Sequence, residues 1–195
     1  MNLVLQTLIS WNTVATLWII FVVYWMISAL RVKRTQRTET SIWRLATVAI
    51  LGVGAFLTFS QSAQFGRLSG RFVPESEWIK GGAVLLVAAG VGIAIWARWH
   101  IGQFWSARVT LKVDHQLVQS GPYARVRHPI YSGLLVAMLG TALFVGEWRA
   151  LVGVLLVFVT HWQKARREEA LLTEQFGAEY QEYRDRTGSL IPRLH

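Results

Sequence analysis

The chain has no cysteine and little charge. Among its 195 residues, Asp, Glu, Lys and Arg together account for only 16%, whereas soluble domains usually contain about 25% charged residues. The absence of cysteine excludes disulfides, thiolate metal sites and a cysteine nucleophile, and we expect no metal centre. Hydrophobic residues make up 53% of the chain. This composition predicts an integral membrane protein.

Charged residues are also missing from the interiors of the apolar runs. Ion-coupled transporters and proton pumps usually carry ionisable groups at membrane depth, so this absence argues against both classes. The glycines within residues 81–97 do not follow the G-x-G-x-x-G spacing of a nucleotide-binding loop after a strand. Any chemistry is therefore predicted at the cytoplasmic membrane surface.

Five apolar runs are candidates for crossing a membrane. A hydrocarbon core about 30 Å thick requires about 20 apolar residues in a helix. The first run ends before the first basic residue, Arg31, so we expect a retained helix and not a removable signal peptide. The last two runs are separated by only three residues, which predicts a tight helical hairpin. The runs are residues 1–30, 45–66, 81–97, 129–146 and 150–163.

The predicted fold class is all-α, a polytopic membrane protein with about five transmembrane helices and a cytoplasmic C-terminal helical tail. Residues 1–195 form one membrane domain, in which 1–96 contain the first three spans and 97–195 contain a polar loop, the hairpin and the tail. There is no internal repeat and no room for a separate soluble domain.

The distribution of basic residues predicts the orientation. Segments 31–44, 98–127 and 164–195 hold 5, 5 and 6 Lys or Arg residues, whereas residues 61–80 and 147–149 hold 3 and 1. Basic loops face the cytoplasm, so we expect the N-terminus outside and the C-terminus in the cytoplasm. The net charge of +9 lies next to the spans, where it suits anionic lipid headgroups. Membrane lipids, and not nucleic acid, are the expected partners.

The stretch GPYARVRHPIYSG, residues 121–133, contains two of the four prolines. Pro122 and Pro129 fix φ and disfavour helical geometry in the residues before them, which predicts a shaped loop with Pro129 as the first residue of the next helix. The rings of Tyr123, His128 and Tyr131 could stack on a base or cover a sulfonium ion. An interfacial turn with aromatic anchors is the alternative interpretation.

The segment after the last apolar run supplies charged residues. That run is too short to cross a membrane by itself, so its helix is predicted to continue through Lys164, Arg167 and Glu168 into Phe176 and to stop at Gly177. Lys164 and Glu168 are four residues apart and share a face. The hairpin is expected to bring this helix extension to the proline-bounded loop, although ordinary surface ion pairs are the alternative.

Two motifs in this order resemble a known family. The pattern H-x-L-V-x-x-G-P-Y-x-x-x-R-H-P-x-Y-x-G occupies residues 115–133, and E-E-x-x-L-x-x-x-F-G-x-x-Y-x-x-Y occupies residues 168–183. They resemble the isoprenylcysteine carboxyl methyltransferases and their relatives among integral-membrane methyltransferases, including phospholipid N-methyltransferases. The similarity covers about the second half of the chain. It implies an S-adenosylmethionine-dependent enzyme without a Rossmann domain, whose cofactor lies among the last two helices, the loop and the tail.

The resemblance also implies which residues form the site. Relatives place an arginine that faces the substrate four residues before the first motif glutamate, where this chain has Lys164, and Arg167 could share its role. Lysine offers a point charge where arginine offers a bidentate fork. Thr110 is the nearest match to a polar cofactor contact upstream of the first motif. The other cofactor contacts implied are His115, Gln116, Leu117, Val118, Tyr123, His128, Pro129, Ile130, Tyr131 and Glu168.

Methyl transfer from a sulfonium requires alignment and exclusion of water more than a reactive side chain. A carboxylate is already ionised at neutral pH and would be held by Lys164 and Arg167, whereas an amine would be repelled. The expected reaction is therefore carboxyl O-methylation of an isoprenylated cysteine or a similar lipid-linked carboxylate. The alternatives are a phospholipid or amine N-methyltransferase, an NADPH-dependent sterol-type membrane reductase and a non-catalytic scaffold. The oligomeric state is open.

Overall fold

A computed structural model describes residues 7–30, 41–60, 65–102, 105 and 117–193, with the side chains of residues 41–44 excluded. Over these ranges the chain forms helices and two isolated β-bridges, with no strand, which confirms the predicted all-α class for this part of the chain. Two short 3-10 helices cover Gly66–Ser69 and Gly121–Ala124. The six longer helices are α1 (Trp11–Ala29), α2 (Ser41–Phe59), α3 (Glu77–Ile101), α4 (Pro129–Val145), α5 (Trp148–Phe176) and α6 (Ala178–Arg186).

Two helices in the described part of the chain have the length and composition of membrane-spanning segments. Helices α1 and α3 are long and apolar enough to cross a membrane, and Leu45–Phe59 and Pro129–Val145 are shorter apolar helices. Large apolar side chains project from their outer faces, among them Met26 and Leu85, which are 68% and 71% exposed. Such continuous apolar exposure suits contact with lipid and not with water.

The helix boundaries follow from the local sequence. Pro129 is the first residue of α4, where its missing N–H costs nothing. Helix α5 runs unbroken for 29 residues and ends before Gly177, which has a φ of 53° that glycine adopts without strain. At 1.5 Å per residue, α5 is about 44 Å long, longer than the hydrocarbon core. The helix continues through Lys164, Arg167 and Glu168 to Phe176, as the sequence predicts.

Glycines bring α3 and α4 into close contact. A Cβ atom at Gly90 would lie 2.4 Å from the Ala137 nitrogen, and one at Gly133 would lie 2.7 Å from the Ala94 nitrogen. Small residues allow such backbone contact between membrane helices. Helices α2 and α5 meet in the same way, because a Cβ atom at Gly153 would lie 2.3 Å from Thr58 Oγ1.

This contact makes a direct prediction about stability. We expect Gly90→Ala to lower the free energy of unfolding by about 1–3 kcal/mol, because the added methyl group must push α4 away. Gly92 lies in the same helix, and a Cβ atom there would have nothing within 4 Å, so Gly92→Ala should be neutral or stabilising. Thermal denaturation in detergent compares the two variants, and equal melting temperatures would contradict the close contact at Gly90.

Helices α4 and α5 follow each other across Gly146 and Glu147, as predicted for a hairpin, but the hairpin is not tight, because the two helices do not pack chiefly against each other. Helix α4 packs mainly on α3, and α5 mainly on α2. The connection is held by the segment before α3, since Phe72 N–H donates to the Gly146 carbonyl at 2.9 Å and Trp148 N–H donates to the Gly70 carbonyl at 3.1 Å. The glycine contacts explain this arrangement, because α4 and α5 each find their closest fit on another helix.

The looser contact between α4 and α5 leaves an apolar groove, with a cavity volume of about 320 Å³. Its walls are aliphatic and aromatic side chains, so it can hold a hydrocarbon chain. The lining residues are Leu135, Val136 and Leu139 of α4 and Leu151, Val154, Leu155 and Phe158 of α5.

Candidate active site

The proline-bounded loop is anchored at both ends. Tyr123 is buried, its hydroxyl lies 3.4 Å from the Ala97 carbonyl, and its own carbonyl accepts a 2.7 Å hydrogen bond from the Tyr183 hydroxyl. Burial raises the pKa of Tyr123 far above its usual value, so the phenol is neutral. Helices α3 and α6 therefore hold the loop from two sides.

Residues 187–190, here called the C-terminal strap, run alongside the loop. Arg127 N–H donates to the Gly188 carbonyl at 2.9 Å, and His128 N–H donates to the Ser189 carbonyl at 3.1 Å. Ser132 Oγ donates to the Leu190 carbonyl at 2.6 Å. The strap thus satisfies backbone groups that the prolines leave without helical partners.

His128 lies between two glutamates of α5. Its Nε2 lies 3.2 Å from Glu169 Oε1, and its Nδ1 lies 3.4 Å from Glu168 Oε2. The ring is buried and stacks on Tyr131 at a centroid distance of 5.4 Å and an angle of 4°. Burial disfavours the charged ring, but hydrogen bonds to Glu168 and Glu169 outweigh burial and raise the pKa of His128. Both nitrogens can then donate, as an imidazolium does.

Glu169 is the centre of a buried ion-pair network. Its Oε1 accepts hydrogen bonds from Arg127 Nε at 2.9 Å and Ser189 Oγ at 2.9 Å, in addition to that from His128. Burial disfavours the carboxylate, yet the bonds from His128 and Arg127 outweigh it and lower the pKa of Glu169 to about 2. The carboxylate therefore joins the loop, the strap and α5 in one charged cluster.

Glu168 and Tyr131 form the side of the site nearest the apolar groove. The Tyr131 hydroxyl donates to Glu168 Oε1 at 2.7 Å. Burial raises the pKa of Glu168, but His128, Lys164 and Tyr131 together lower it below its usual value. Lys164 Nζ lies 5.5 Å from the centroid of the Tyr131 ring, and the His161 ring meets the same ring at 4.8 Å and 76°. A carboxylate, an aromatic face and a cation thus meet in one place.

The structure brings together most of the residues that the sequence singles out. Pro129 and Ile130 are buried beside His128 at the start of α4, and Arg167 is half-buried on α5. Val118 packs on the apolar cluster around Tyr123, and Leu117 is half-buried. Thr110, His115 and Gln116 lie outside the described residues.

The sequence analysis does not assign four residues to the site that the structure places there: Arg127, Glu169, Ser189 and His161. Arg127 and Glu169 stand within the two motifs, so their position was a signal, but their pairing across 42 positions is a tertiary property. Ser189 lies in a tail with no pattern that predicts its bond. His161 lies one turn before Lys164, and its helical spacing was the signal available.

The residues suit the cofactor that the resemblance implies. S-adenosylmethionine combines a cationic sulfonium with hydroxyl groups and a base. Glu168 keeps a negative charge and has acceptor capacity beyond its bond from Tyr131, and the Tyr131 ring offers a face to a cation. A half-buried anion beside an aromatic ring fits a cationic ligand with hydroxyl donors.

Comparison with known proteins agrees with this chemistry. A family model described as phospholipid methyltransferase matches residues 78–179. The protein-S-isoprenylcysteine O-methyltransferase of Schizosaccharomyces pombe is 40% identical over 99 residues, which are 48% of this chain and 41% of the yeast protein. The cobalt-zinc-cadmium resistance protein CzcN of Cupriavidus metallidurans is 28% identical over 160 residues, which are 81% of this chain and 65% of that protein.

A solved structure shares the fold. The eukaryotic intramembrane Ras methyltransferase, an isoprenylcysteine carboxyl methyltransferase, superposes with a TM-score of 0.54 at 20% sequence identity, over 78% of this chain and 51% of that chain. The helical arrangement described above is therefore shared with that intramembrane methyltransferase. The aligned part of this chain spans about two fifths of the yeast relative and about half of the solved one.

Proposed function

We propose that the chain, which belongs to the phospholipid methyltransferase family, is a membrane-embedded methyltransferase that uses S-adenosylmethionine. The proposed methyl acceptor is a lipid-linked carboxylate, such as that of an isoprenylated cysteine. The observation that carries this proposal is the meeting of His128, Tyr131 and Glu168 at the junction of loop and helix extension. His128 Nδ1 and Glu168 Oε2, 40 positions apart, lie 3.4 Å apart.

The proposal includes the membrane topology. In this topology the chain forms a single domain with five spans. The N-terminus lies outside, and the loop, the strap and α6 lie in the cytoplasm, in agreement with the excess of Lys and Arg in the segments on that side. The site then lies at the cytoplasmic surface, where a soluble cofactor and a lipid-borne substrate can both reach it. Residues 97–195 form the catalytic half.

The proposed cofactor residues act by binding and orientation. Glu168 and Tyr131 would hold the cofactor, together with His128 and the loop at Tyr123, and Thr110, His115, Gln116, Leu117 and Val118 are proposed to complete the site. When bound, S-adenosylmethionine supplies an activated methyl group. Glu168 stays ionised, because His128 and Lys164 stabilise its charge. The strap and the buried loop residues Tyr123 and His128 exclude water, so the chain contributes alignment and a fixed negative charge.

The acceptor side of the site is proposed to lie at Lys164, with Arg167 as a second cation. Phe158 is the last residue of α5 that lines the apolar groove, and Lys164 lies six residues after it. A lipid with its hydrocarbon tail in the groove would therefore place its polar end near the lysine. The ammonium group attracts a carboxylate and repels a protonated amine. This arrangement favours ester formation over amine methylation.

A methyl-transfer assay with labelled cofactor tests the proposal with prenylcysteine analogues, fatty acids and amino-lipids as acceptors. We expect Lys164→Met to raise KM for the carboxylate acceptor about tenfold or more, since a hydrogen bond to a charged group contributes about 1.5–3 kcal/mol. Lys164→Arg should retain most of the activity. Affinity for S-adenosylhomocysteine should change far less than KM.

Arg166→Met is the matched control, because Arg166 is exposed and lies over the Trp162 ring. It removes the same charge from the neighbouring surface and should leave KM unchanged. The carboxylate-binding role is wrong if Lys164→Met and Arg167→Met both turn over the acceptor at the normal rate.

Phospholipid N-methylation is the second candidate, because the matching family model is described as phospholipid methyltransferase. Methylation of amino-lipids without methylation of any carboxylate would favour it. A reductase is distinguished by calorimetry, since a methyltransferase should bind S-adenosylhomocysteine and not NADPH.

A further inference from the structure

Lys164 lies where the proposed cofactor would bring its own positive charge. Its Nζ atom is 5.5 Å from the centroid of the Tyr131 ring, within the range of about 6 Å in which an aromatic face attracts a cation. Glu168, one turn later on α5, accepts the Tyr131 hydroxyl at 2.7 Å. Burial disfavours the Glu168 carboxylate, but His128, the charge of Lys164 and the Tyr131 hydroxyl together lower its pKa. The ammonium group is therefore held by the same carboxylate and the same ring that suit a sulfonium.

Three groups surround the Tyr131 ring. His128 stacks on it at a centroid distance of 5.4 Å and an angle of 4°, and His161 meets it at 4.8 Å and 76°. The His161 ring is itself fixed, because its Nδ1 lies 2.8 Å from the Val157 carbonyl oxygen. Lys164 is the third group. A further cation at this ring would lie close to the Lys164 ammonium, and like charges at such a distance repel each other.

Lys164 is able to change its position. Its side chain is half-buried, and a lysine carries its compact charge on a flexible four-carbon stem. Arg127, a second cation of the site, is fixed by contrast, since it donates to Glu169 Oε1 at 2.9 Å and to the Thr187 carbonyl at 2.5 Å. Of these two cations, Lys164 is the one that can move without breaking a buried network.

We propose that the Lys164 ammonium occupies the cation site of the cofactor, leaves Glu168 and Tyr131 when the cofactor binds, and then holds the carboxylate of the acceptor. This inference rests on the proposed function and adds an order of binding to it, cofactor before acceptor. While Lys164 neutralises Glu168, it attracts a second carboxylate less strongly. Once a positive charge of the cofactor lies beside Glu168, repulsion directs Lys164 toward the acceptor.

Methyl transfer reverses the exchange. The carboxylate oxygen of the acceptor forms a bond to the methyl carbon, while the bond from that carbon to the sulfonium breaks and its electron pair stays on the sulfur. One positive and one negative charge are lost together, because the ester and the thioether are both neutral. Lys164 then has no carboxylate of the acceptor to hold and returns to Glu168 and Tyr131, which favours release of both products.

Calorimetry with two cofactor analogues tests the exchange in the full-length protein. Sinefungin carries an ammonium group where the cofactor has its sulfonium, whereas S-adenosylhomocysteine is uncharged there, and neither transfers a methyl group. We expect Lys164→Met to tighten the binding of sinefungin about tenfold, because the competing charge is gone, and to change the affinity for S-adenosylhomocysteine less than about twofold. Lys164→Arg keeps a positive charge and should keep the wild-type ratio of the two affinities.

Arg166→Met is the matched control for this ratio. Arg166 is exposed and lies over the Trp162 ring, so the substitution removes one positive charge from the neighbouring surface and not from the site. It should leave the affinities for both analogues unchanged.

The exchange also couples the two ligands. Farnesylcysteine should bind the wild type about tenfold more tightly with sinefungin than with S-adenosylhomocysteine, and by reciprocity it should tighten the binding of sinefungin by the same factor. Direct attraction between the two ligands is common to the wild type and Lys164→Met. The variant should therefore retain only that part of the coupling.

A measurement on the wild type follows the lysine itself. The chain has four lysines, and reductive methylation with a carbon-13 label makes their side chains visible by NMR. The signal of Lys164, identified by its absence from Lys164→Arg, should be shifted by the ring current of Tyr131. Sinefungin should remove this shift, and S-adenosylhomocysteine should leave most of it. If Lys164→Met does not fold, this measurement decides by itself.

The outcomes separate this inference from the function on which it rests. Equal effects of Lys164→Met on both analogues, or a Lys164 signal that sinefungin does not move, would overturn the exchange even if the wild type methylates farnesylcysteine. Binding of both analogues without methylation of farnesylcysteine overturns the acceptor assignment and the second step of the exchange. A wild-type protein that binds neither analogue overturns the cofactor assignment and the exchange together.

Discussion

Glu168→Gln is expected to reduce methyl transfer at least 100-fold and to weaken binding of S-adenosylhomocysteine about tenfold or more. Glu168 accepts the Tyr131 hydroxyl at 2.7 Å and faces His128 Nδ1 at 3.4 Å. Glutamine has the same shape but no charge. Its amide nitrogen is a donor and would face either the Tyr131 hydroxyl or His128 Nδ1, which are also donors. Hydrogen bonds to charged groups contribute about 1.5–3 kcal/mol each, and each 1.4 kcal/mol is a factor of ten.

Calorimetry with S-adenosylhomocysteine and a labelled-methyl assay measure the two effects. Turnover should fall more than product affinity, because the product carries no sulfonium charge for Glu168 to attract. Glu182→Gln, on the exposed surface of α6, removes one negative charge from the same side of the protein and should have no effect. Normal turnover by Glu168→Gln would remove Glu168 from the cofactor site.

Glu169→Ala is expected to destabilise the folded protein by about 3–5 kcal/mol, the usual cost of removing one partner of a buried ion pair. The substitution leaves Arg127 charged without its carboxylate and leaves His128 with Glu168 alone, and it also removes the bond from Ser189. Thermal or denaturant unfolding in detergent measures the loss, and Glu182→Ala is the exposed control.

A double substitution separates the ion pair from simple packing. Arg127→Met combined with Glu169→Ala should cost less than the sum of the two single changes, because the remaining charge is then removed as well. Strict additivity would show that the two side chains do not interact.

The same cluster predicts how stability depends on pH. The pKa of Glu169 falls from 4.5 to about 2 on folding, so its contribution is complete above pH 4.5 and is lost as the pH falls toward 2. The pKa of His128 is raised from 6.5, so its contribution is complete below pH 6.5 and is lost as the pH rises through the higher folded value. The wild-type melting temperature should therefore be greatest between about pH 4.5 and 6.5. Glu169→Ala should flatten the acidic limb, whereas the alkaline limb should persist in part, because Glu168 also raises the pKa of His128.

The sequence determined the elements of this protein, since each depends on local chemistry. The extent of α5 into Phe176, its end at Gly177 and the start of α4 at Pro129 all follow from apolar length and from the backbone preferences of glycine and proline. The two motifs likewise predict that His128, Tyr131 and Glu168 belong to one site, because their order along the chain resembles that of a known family.

Only the tertiary structure decided which partners those elements take. Helix α4 packs on α3 through glycines whose fit depends on the shapes of both helices. The sequence periodicity of one helix does not identify the other helix as its packing partner. The pairing of the strap with the loop, and of Arg127 and Ser189 with Glu169, joins residues 20 to 61 positions apart. Such contacts form because burial of a charge requires several partners at once, and that requirement is met in three dimensions and not along the chain.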